Sequence, residues 1–146
     1  MSDTPTKLAH IGICVSDLER SMRFYGEALG FRLDHLCDAL PPFESHVEFE
    51  QIAMRGALYE FQGCIIELMY FDAPGFKGPA ARRPMNQLGF THFSFEVDDI
   101  DAVIERIVKY EGTLHPSTRL AVSGKGEFVF CTDPDGVRIQ LWQRPA

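Results

Sequence analysis

The sequence predicts an α+β fold of two tandem βαβββ modules, whose strands curve into a partly open sheet with the helices on its convex side. Three features point there: a repeated strand-helix segment, a repeated closing hairpin, and a change from period-2 to helical spacing inside each copy. Leu8-Ala-His10-Ile-Gly-Ile-Cys-Val15-Ser-Asp17-Leu18 aligns with Phe90-Thr-His92-Phe-Ser-Phe-Glu-Val97-Asp-Asp99-Ile100 at a constant offset of 82 residues. The register holds through Met22/Ile104 and Tyr25/Ile107 to Gly30/Gly112. Gln62-Gly63-Cys-Ile-Ile66-Glu67-Leu68 pairs with Asp135-Gly136-Val-Arg-Ile139-Gln140-Leu141 at 73 residues, so the first copy holds 9 extra residues between helix and hairpin.

Leu8 to Val15 sets Ile11, Ile13 and Val15 against His10, Gly12 and Cys14, the alternation of a strand with two unlike faces. Ser16-Asp17-Leu18-Glu19 has capping-box spacing, and Leu18, Met22, Tyr25 and Leu29 recur helically until Gly30 stops the helix. Phe31 to Cys37 and Val47 to Met54 read as strands, while Asp38 to Ser45, with Pro41-Pro42, reads as a loop. Ala57 to Phe61 and Cys64 to Phe71 flank the Gln62-Gly63 turn. In the second copy Thr91 to Val97 is a strand and Ile100 to Glu111 a helix, its core face Ile100, Val103, Ile104, Ile107 and Val108 and its stop Gly112. A strand near Leu114 to Val122 follows, then a hairpin of Glu127 to Thr132 and Val137 to Gln143 turning at Asp133-Pro-Asp-Gly136. The organisation is one domain over 1–146: module 7–71, linker 72–87 and module 88–143. The linker's Arg82-Arg83 pair suits an anionic substrate group or plain solvation.

The 146 residues and 45% hydrophobic content suffice for a buried core. A formal charge of −7, with no dense Lys/Arg run, argues against nucleic acid or an anionic membrane surface and for a small-molecule substrate. The amino-terminal residues show no basic-then-apolar leader and no apolar run is long enough to span a bilayer, so a cytoplasmic location is expected. Cys14, Cys37, Cys64 and Cys131 have no C-x-x-C spacing and are expected to be mostly reduced, buried apolar residues.

Alternation assigns helix packing to Ile11, Ile13, Phe93, Phe95, Ile66, Leu68, Ile139 and Leu141. His10, His92, Glu67 and Gln140 then face the concave side. Two imidazoles, a carboxylate and an amide oxygen from repeat-related positions suit one divalent metal ion, which could be Zn, Ni, Co, Mn or Fe.

With those residues the chain resembles the vicinal oxygen chelate superfamily, which includes glyoxalase I, methylmalonyl-CoA epimerase, fosfomycin-resistance proteins, bleomycin resistance proteins and extradiol dioxygenases. The motifs are the two His strands, the Ile-Glu-Leu strand and the closing Asp-Pro-Asp-Gly-x-x-Ile-x-Leu, from about Lys7 to Gln143. The resemblance implies a glyoxalase-like fold, a homodimer, and His10, Glu67, His92 and Gln140 as metal ligands. It implies a glyoxalase- or epimerase-type lyase or isomerase that stabilises the enediolate of a small substrate chelated through vicinal oxygens. Gln140 stands where glutamate is commoner, and an amide cannot accept a proton at neutral pH. Glu67 is therefore the candidate catalytic base, with Glu48 and Glu50 as alternatives. A non-haem Fe(II) extradiol-type dioxygenase or a metal-free binder of drug-like molecules, using aromatic residues such as Phe43, Phe49, Tyr59, Phe61, Tyr70 and Trp142, remain the other functional classes.

Overall fold

The computed structural model describes residues 3–39, 43 and 45–145. The chain runs through β1 (Ile11–Cys14), α1 (Leu18–Arg23) continuing into a π-helical turn (Phe24–Ala28), β2 (Arg32–Ala39), β3 (Ala53–Phe61) and β4 (Cys64–Ala73). The same order recurs as β5 (Phe93–Val97), α2 (Ile100–Lys109), β6 (Thr113–Val122), β7 (Gly126–Thr132) and β8 (Arg138–Gln143). Two four-stranded sheets result, ordered β1-β4-β3-β2 and β5-β8-β7-β6. In each, the first strand lies parallel to the last and the other pairings are antiparallel. This is the α+β architecture of tandem modules that the repeat predicts.

Contacts gather into two compact units: the described residues up to Leu18 with Phe31–Phe76, and Glu19–Gly30 with Lys77 onward. In the first, the register sets Ile13 beside Leu68 and Ala57, and Ile11 beside Ile66 and Tyr59. All of these but Ile11 are buried. At the β3–β4 hairpin Gln62 and Gly63 both take positive φ, 48° and 83°, as a tight primed turn requires, and Glu60 accepts a hydrogen bond from the Gly63 N–H at 2.7 Å.

In the second unit Val129, Cys131, Ile139 and Leu141 of the sheet are buried together with Ile100, Ile104 and Ile107 of α2 and with Phe24, Tyr25 and Ala28 of the π-helical turn, which packs on α2. The Asp99 carboxylate caps α2, accepting from the Ala102 N–H at 3.0 Å. Tyr25 donates its hydroxyl to Asp133 at 2.9 Å, and Asp133 also accepts from the N–H groups of Asp135 and Val137 at 2.9 and 2.7 Å. One carboxylate thus builds the β7–β8 turn and anchors the first helix to it. Burial pushes the Asp133 carboxyl up to about 6, against the pull of these hydrogen bonds.

Several expectations need correction. Of Val47 to Met54 only Ala53 and Met54 are strand, where β3 begins: His46 and Val47 donate back to the Phe43 carbonyl, and Glu48 turns at φ 63°. The Pro41-Pro42 part of the expected loop lies outside the described residues, and Asp38 and Ala39 extend β2. Helix α2 ends through Glu111, at φ 69°, and not through a left-handed Gly112. Gly112 is needed for space, because a Cβ there would meet Ile107 Cγ2 at 2.6 Å, Phe24 Cε2 at 2.7 Å and the Thr132 carbonyl at 2.8 Å. Val108 is exposed. Of the cysteines, which are all free, only Cys131 is buried, and Cys14 and Cys64 are exposed. Among the described residues no helix is long and apolar enough to cross a membrane.

Two outcomes follow from this packing. Gly112→Ala should destabilise the protein by roughly 1–3 kcal/mol in urea unfolding, because two side chains and a backbone carbonyl must yield. The folded chain binds the Asp133 proton more tightly than the unfolded chain. Its contribution is therefore full below about pH 4 and falls by roughly 3 kcal/mol as pH rises to about 6. Subtracting the pH–stability curve of Asp133→Asn from that of the wild type should isolate this slope, and parallel curves would contradict it.

Candidate functional site

The polar face of the first sheet is set by its register. Gly12, Glu67, Leu58 and His35 stand abreast across β1, β4, β3 and β2, with Cys14, Met69, Gly56 and Cys37 in the next row. His10, one residue before β1 begins, shares this face by alternation. Its Nε2 lies 3.2 Å from Oε2 of Glu67, with the two side chains 45% and 16% exposed. The carboxylate is thus largely sheltered while the imidazole edge meets solvent. The other carboxylate oxygen accepts from the Cys37 thiol at 3.7 Å. Burial, then the charge and hydrogen bond of Glu67, push the Cys37 thiol up from its ordinary range. Gly56 makes room for this thiol, since a Cβ there would stand 2.6 Å from Cys37 Sγ. Gly12, the cross-strand neighbour of Glu67, leaves space for Met69, whose sulfur would stand 3.3 Å from a Cβ there.

The equivalent face of the second sheet holds Ser94 beside Gln140, then Phe130 and His115. Ser94 donates to the Gln140 side-chain oxygen at 2.9 Å, and His92 Nδ1 is 2.9 Å from the Thr91 hydroxyl. The His92 ring meets the Phe130 ring edge-on at 5.3 Å, so His92, Phe130 and Gln140 form one patch. Farther along, Phe128 and Trp142 stack with planes 2° apart beside a groove of about 550 Å³. Trp142 lines this groove, whereas Tyr59, another aromatic of the expected set, is buried.

The structure brings His10 to Glu67 in one unit and His92 to the patch around Gln140 in the other. Among the described residues, no three His, Cys, Asp or Glu side chains gather to hold an ion. Glu48 and Glu50 are exposed on the turn segment before β3. The donor chemistry of the first pair fits a divalent ion: ligand atoms bonded at about 2.1 Å and at right angles are about 3 Å apart, close to the observed His10–Glu67 separation. Alternation could have found Ser94, two residues from His92 on the same face as Gln140. Cys37 and Phe130 carry no signal until the strands are paired.

The family model of the Glyoxalase/Bleomycin resistance protein/Dioxygenase superfamily matches residues 7–141. The chain is 30% identical over 137 residues to the probable lactoylglutathione lyase of Vibrio cholerae, covering 94% of this chain and 90% of that protein. It is 28% identical to the probable chloroplastic lactoylglutathione lyase of Arabidopsis thaliana, but there its match spans only 36% of the relative's length. A glyoxalase family protein from Bacillus cereus superposes with TM-score 0.86 at 19% identity, over 100% of this chain and 99% of that one. A mutant of the fosfomycin resistance protein FosX from Listeria monocytogenes, complexed with Mn(II) and a dihydroxypropylphosphonic acid, superposes with TM-score 0.65 at 18% identity, over 97% of this chain and 95% of that one.

The Glu67–Cys37 contact makes the thiol a reporter of the carboxylate. Glu67→Gln removes the negative charge that disfavours thiolate, so alkylation of Cys37 at mildly alkaline pH should accelerate by roughly threefold, read by mass spectrometry with Cys64 as internal reference. An unchanged rate would mean that Glu67 does not act on the thiol.

Proposed function

Because the chain belongs to the glyoxalase/bleomycin resistance protein/dioxygenase superfamily, we propose that it is a metal-dependent lyase or isomerase acting on a small substrate with two neighbouring oxygens. The observation that carries this reading is the convergence of the His10 imidazole and the sheltered Glu67 carboxylate, 3.2 Å apart, on an open sheet face. His10 and Glu67 supply one half of the metal site, and His92 and Gln140 the other. The bound ion supplies a Lewis acid for the paired substrate oxygens.

The protein's own residues do the rest. The Thr91 hydroxyl, 2.9 Å from His92 Nδ1, can accept from its N–H in the tautomer that would leave Nε2 as a ligand. Ser94 orients the Gln140 amide so that its oxygen, already held by the hydroxyl, keeps a second lone pair for the ion. Gln140 cannot take a proton, so Glu67 is the base that removes the proton from the carbon beside the substrate carbonyl. Cys37, next to its other oxygen, steadies the charged carboxylate before transfer. The names of the relatives point to an α-hydroxy thioester such as S-lactoylglutathione, whose hydroxyl and carbonyl oxygens are vicinal. Gln140 weighs against the extradiol-type alternative, which would lose the carboxylate of the final strand.

Protein purified without chelators should carry near-stoichiometric divalent metal, lost in His10→Ala and in His92→Ala. A metal-free wild type would overturn the proposal. We also propose a homodimer: if partner modules complete each site, mixing the two variants restores metal to a share of sites, whereas sites within one chain stay empty in the mixture. Deuterium from solvent should enter the hydroxyl-bearing carbon of S-lactoylglutathione, slowed by roughly 10²- to 10⁴-fold in Glu67→Gln. Exchange at the wild-type rate in that variant would remove Glu67 from the chemistry.

A further inference from the structure

In this acidic chain Arg20, Arg23, Arg32, Arg55, Arg119 and Arg144 each meet a carboxylate, and Arg106 donates to the Glu27 carbonyl. Arg83 likewise donates to the Phe90 carbonyl, but Arg82, Arg83 and Arg138 differ from the six ion-paired arginines. None of them has a carboxylate partner among the described residues, and they lie together in the second unit. Arg138 donates to the Arg83 carbonyl at 2.9 Å. The Ala81–Arg82 backbone crosses so close to the β7–β8 turn that a Cβ on Gly136 would stand 2.7 Å from the Arg82 nitrogen.

Arg138 is only 9% exposed, and its Nε finds no hydrogen-bond partner among the described residues. Its Nη1 reaches the Met85 sulfur, at 3.6 Å. Burying a cation with nearby positive charges and no counter-charge is unfavourable unless an anion completes the site. The positive potential is felt by its neighbours. Burial, then the charges of Arg82 and Arg138, hold His115 below the ordinary histidine range, while its side chain stands 3.3 Å from the neutral Thr132 hydroxyl. Arg138 also stands two residues before Gln140 on the same strand face, with its guanidinium 5.6 Å from the centre of the Phe130 ring that His92 touches.

We infer that Arg138, with Arg82 and Arg83, forms an oxyanion subsite beside His92 and Gln140 that takes a carboxylate, phosphate or phosphonate group of the substrate. A guanidinium fork binds such groups through two parallel hydrogen bonds. The inference rests on the metal-dependent reading only for identifying this anion as part of the substrate. Anion binding itself needs no metal.

The test is calorimetric titration of inorganic phosphate and, separately, succinate into the full chain in the presence of chelator. Millimolar binding is expected, weakened at least about tenfold in Arg138→Gln and in Arg82→Gln/Arg83→Gln, and unchanged in Arg55→Gln, whose partner is Asp72. Because Arg82 and Arg83 are exposed, the double variant separates anion binding from any folding defect of Arg138→Gln. Preference for phosphate assigns a phosphoryl or phosphonyl group, and preference for succinate a carboxylate; both support the subsite. Wild-type affinity in both sets of variants, or no binding of either anion by the wild type, overturns it. Anion binding in chelator by a protein that also proves metal-free when purified without chelator would overturn the metal reading and leave the subsite standing.

Discussion

The parallel pairing of each module's first strand with its last is the constraint on which the rest of the molecule depends. A parallel pair cannot be closed by a tight turn, so a helix and two further strands must be threaded between its members. Once the pair is in register, every side chain on both strands is committed to a face. Ile13 and Leu68 go to the core, and Gly12 and Glu67 go to the open side; Phe95 and Leu141, Ser94 and Gln140 repeat the division. A slip of one residue would bury Glu67 and expose Ile66 and Leu68, which are fully buried, so the chemistry of the open face and the stability of the core are set by the same register.

Much of the fold was legible because it is written twice. The alternation around His10 and His92 and both hairpin turns depend on local rules, and each appears where those rules place it. The misses share a physical origin in tertiary packing. Val47 to Met54 has a strand-like composition, yet Phe49 turns to pack edge-on against Phe71, and the backbone bends to let it. The first helix was expected to bury Leu18, Met22, Tyr25 and Leu29, but the π-helical turn adds a residue to the cycle and brings Ser21, Phe24 and Ala28 inward instead, beside Leu18 and Tyr25. Gly112 looked like a helix stop, and only the proximity of Phe24 and the Thr132 carbonyl shows that it is a spacer.

The candidate site was legible as residue types and only partly as geometry. His10 and Glu67 could be matched from the repeat, and they do meet. Arg138 gave no warning: an arginine between two apolar positions on a final strand looks like an ordinary exposed residue, and its burial comes from the loop that carries Arg83 and Met85. Cys37 likewise becomes part of the site only because a bulge in β2 sets it across from Gly56.

The buried hydroxyl of Tyr25 and the carboxylate of Asp133 belong to different copies of the repeat, yet both sit in the second unit. Whatever half-length ancestor was duplicated, its descendants are no longer self-sufficient: the helix made from the first half now finishes the core of the second. A chain severed at the linker would therefore leave one piece carrying a helix without the residues it packs on, and the other lacking the ring and hydroxyl that seal its final turn.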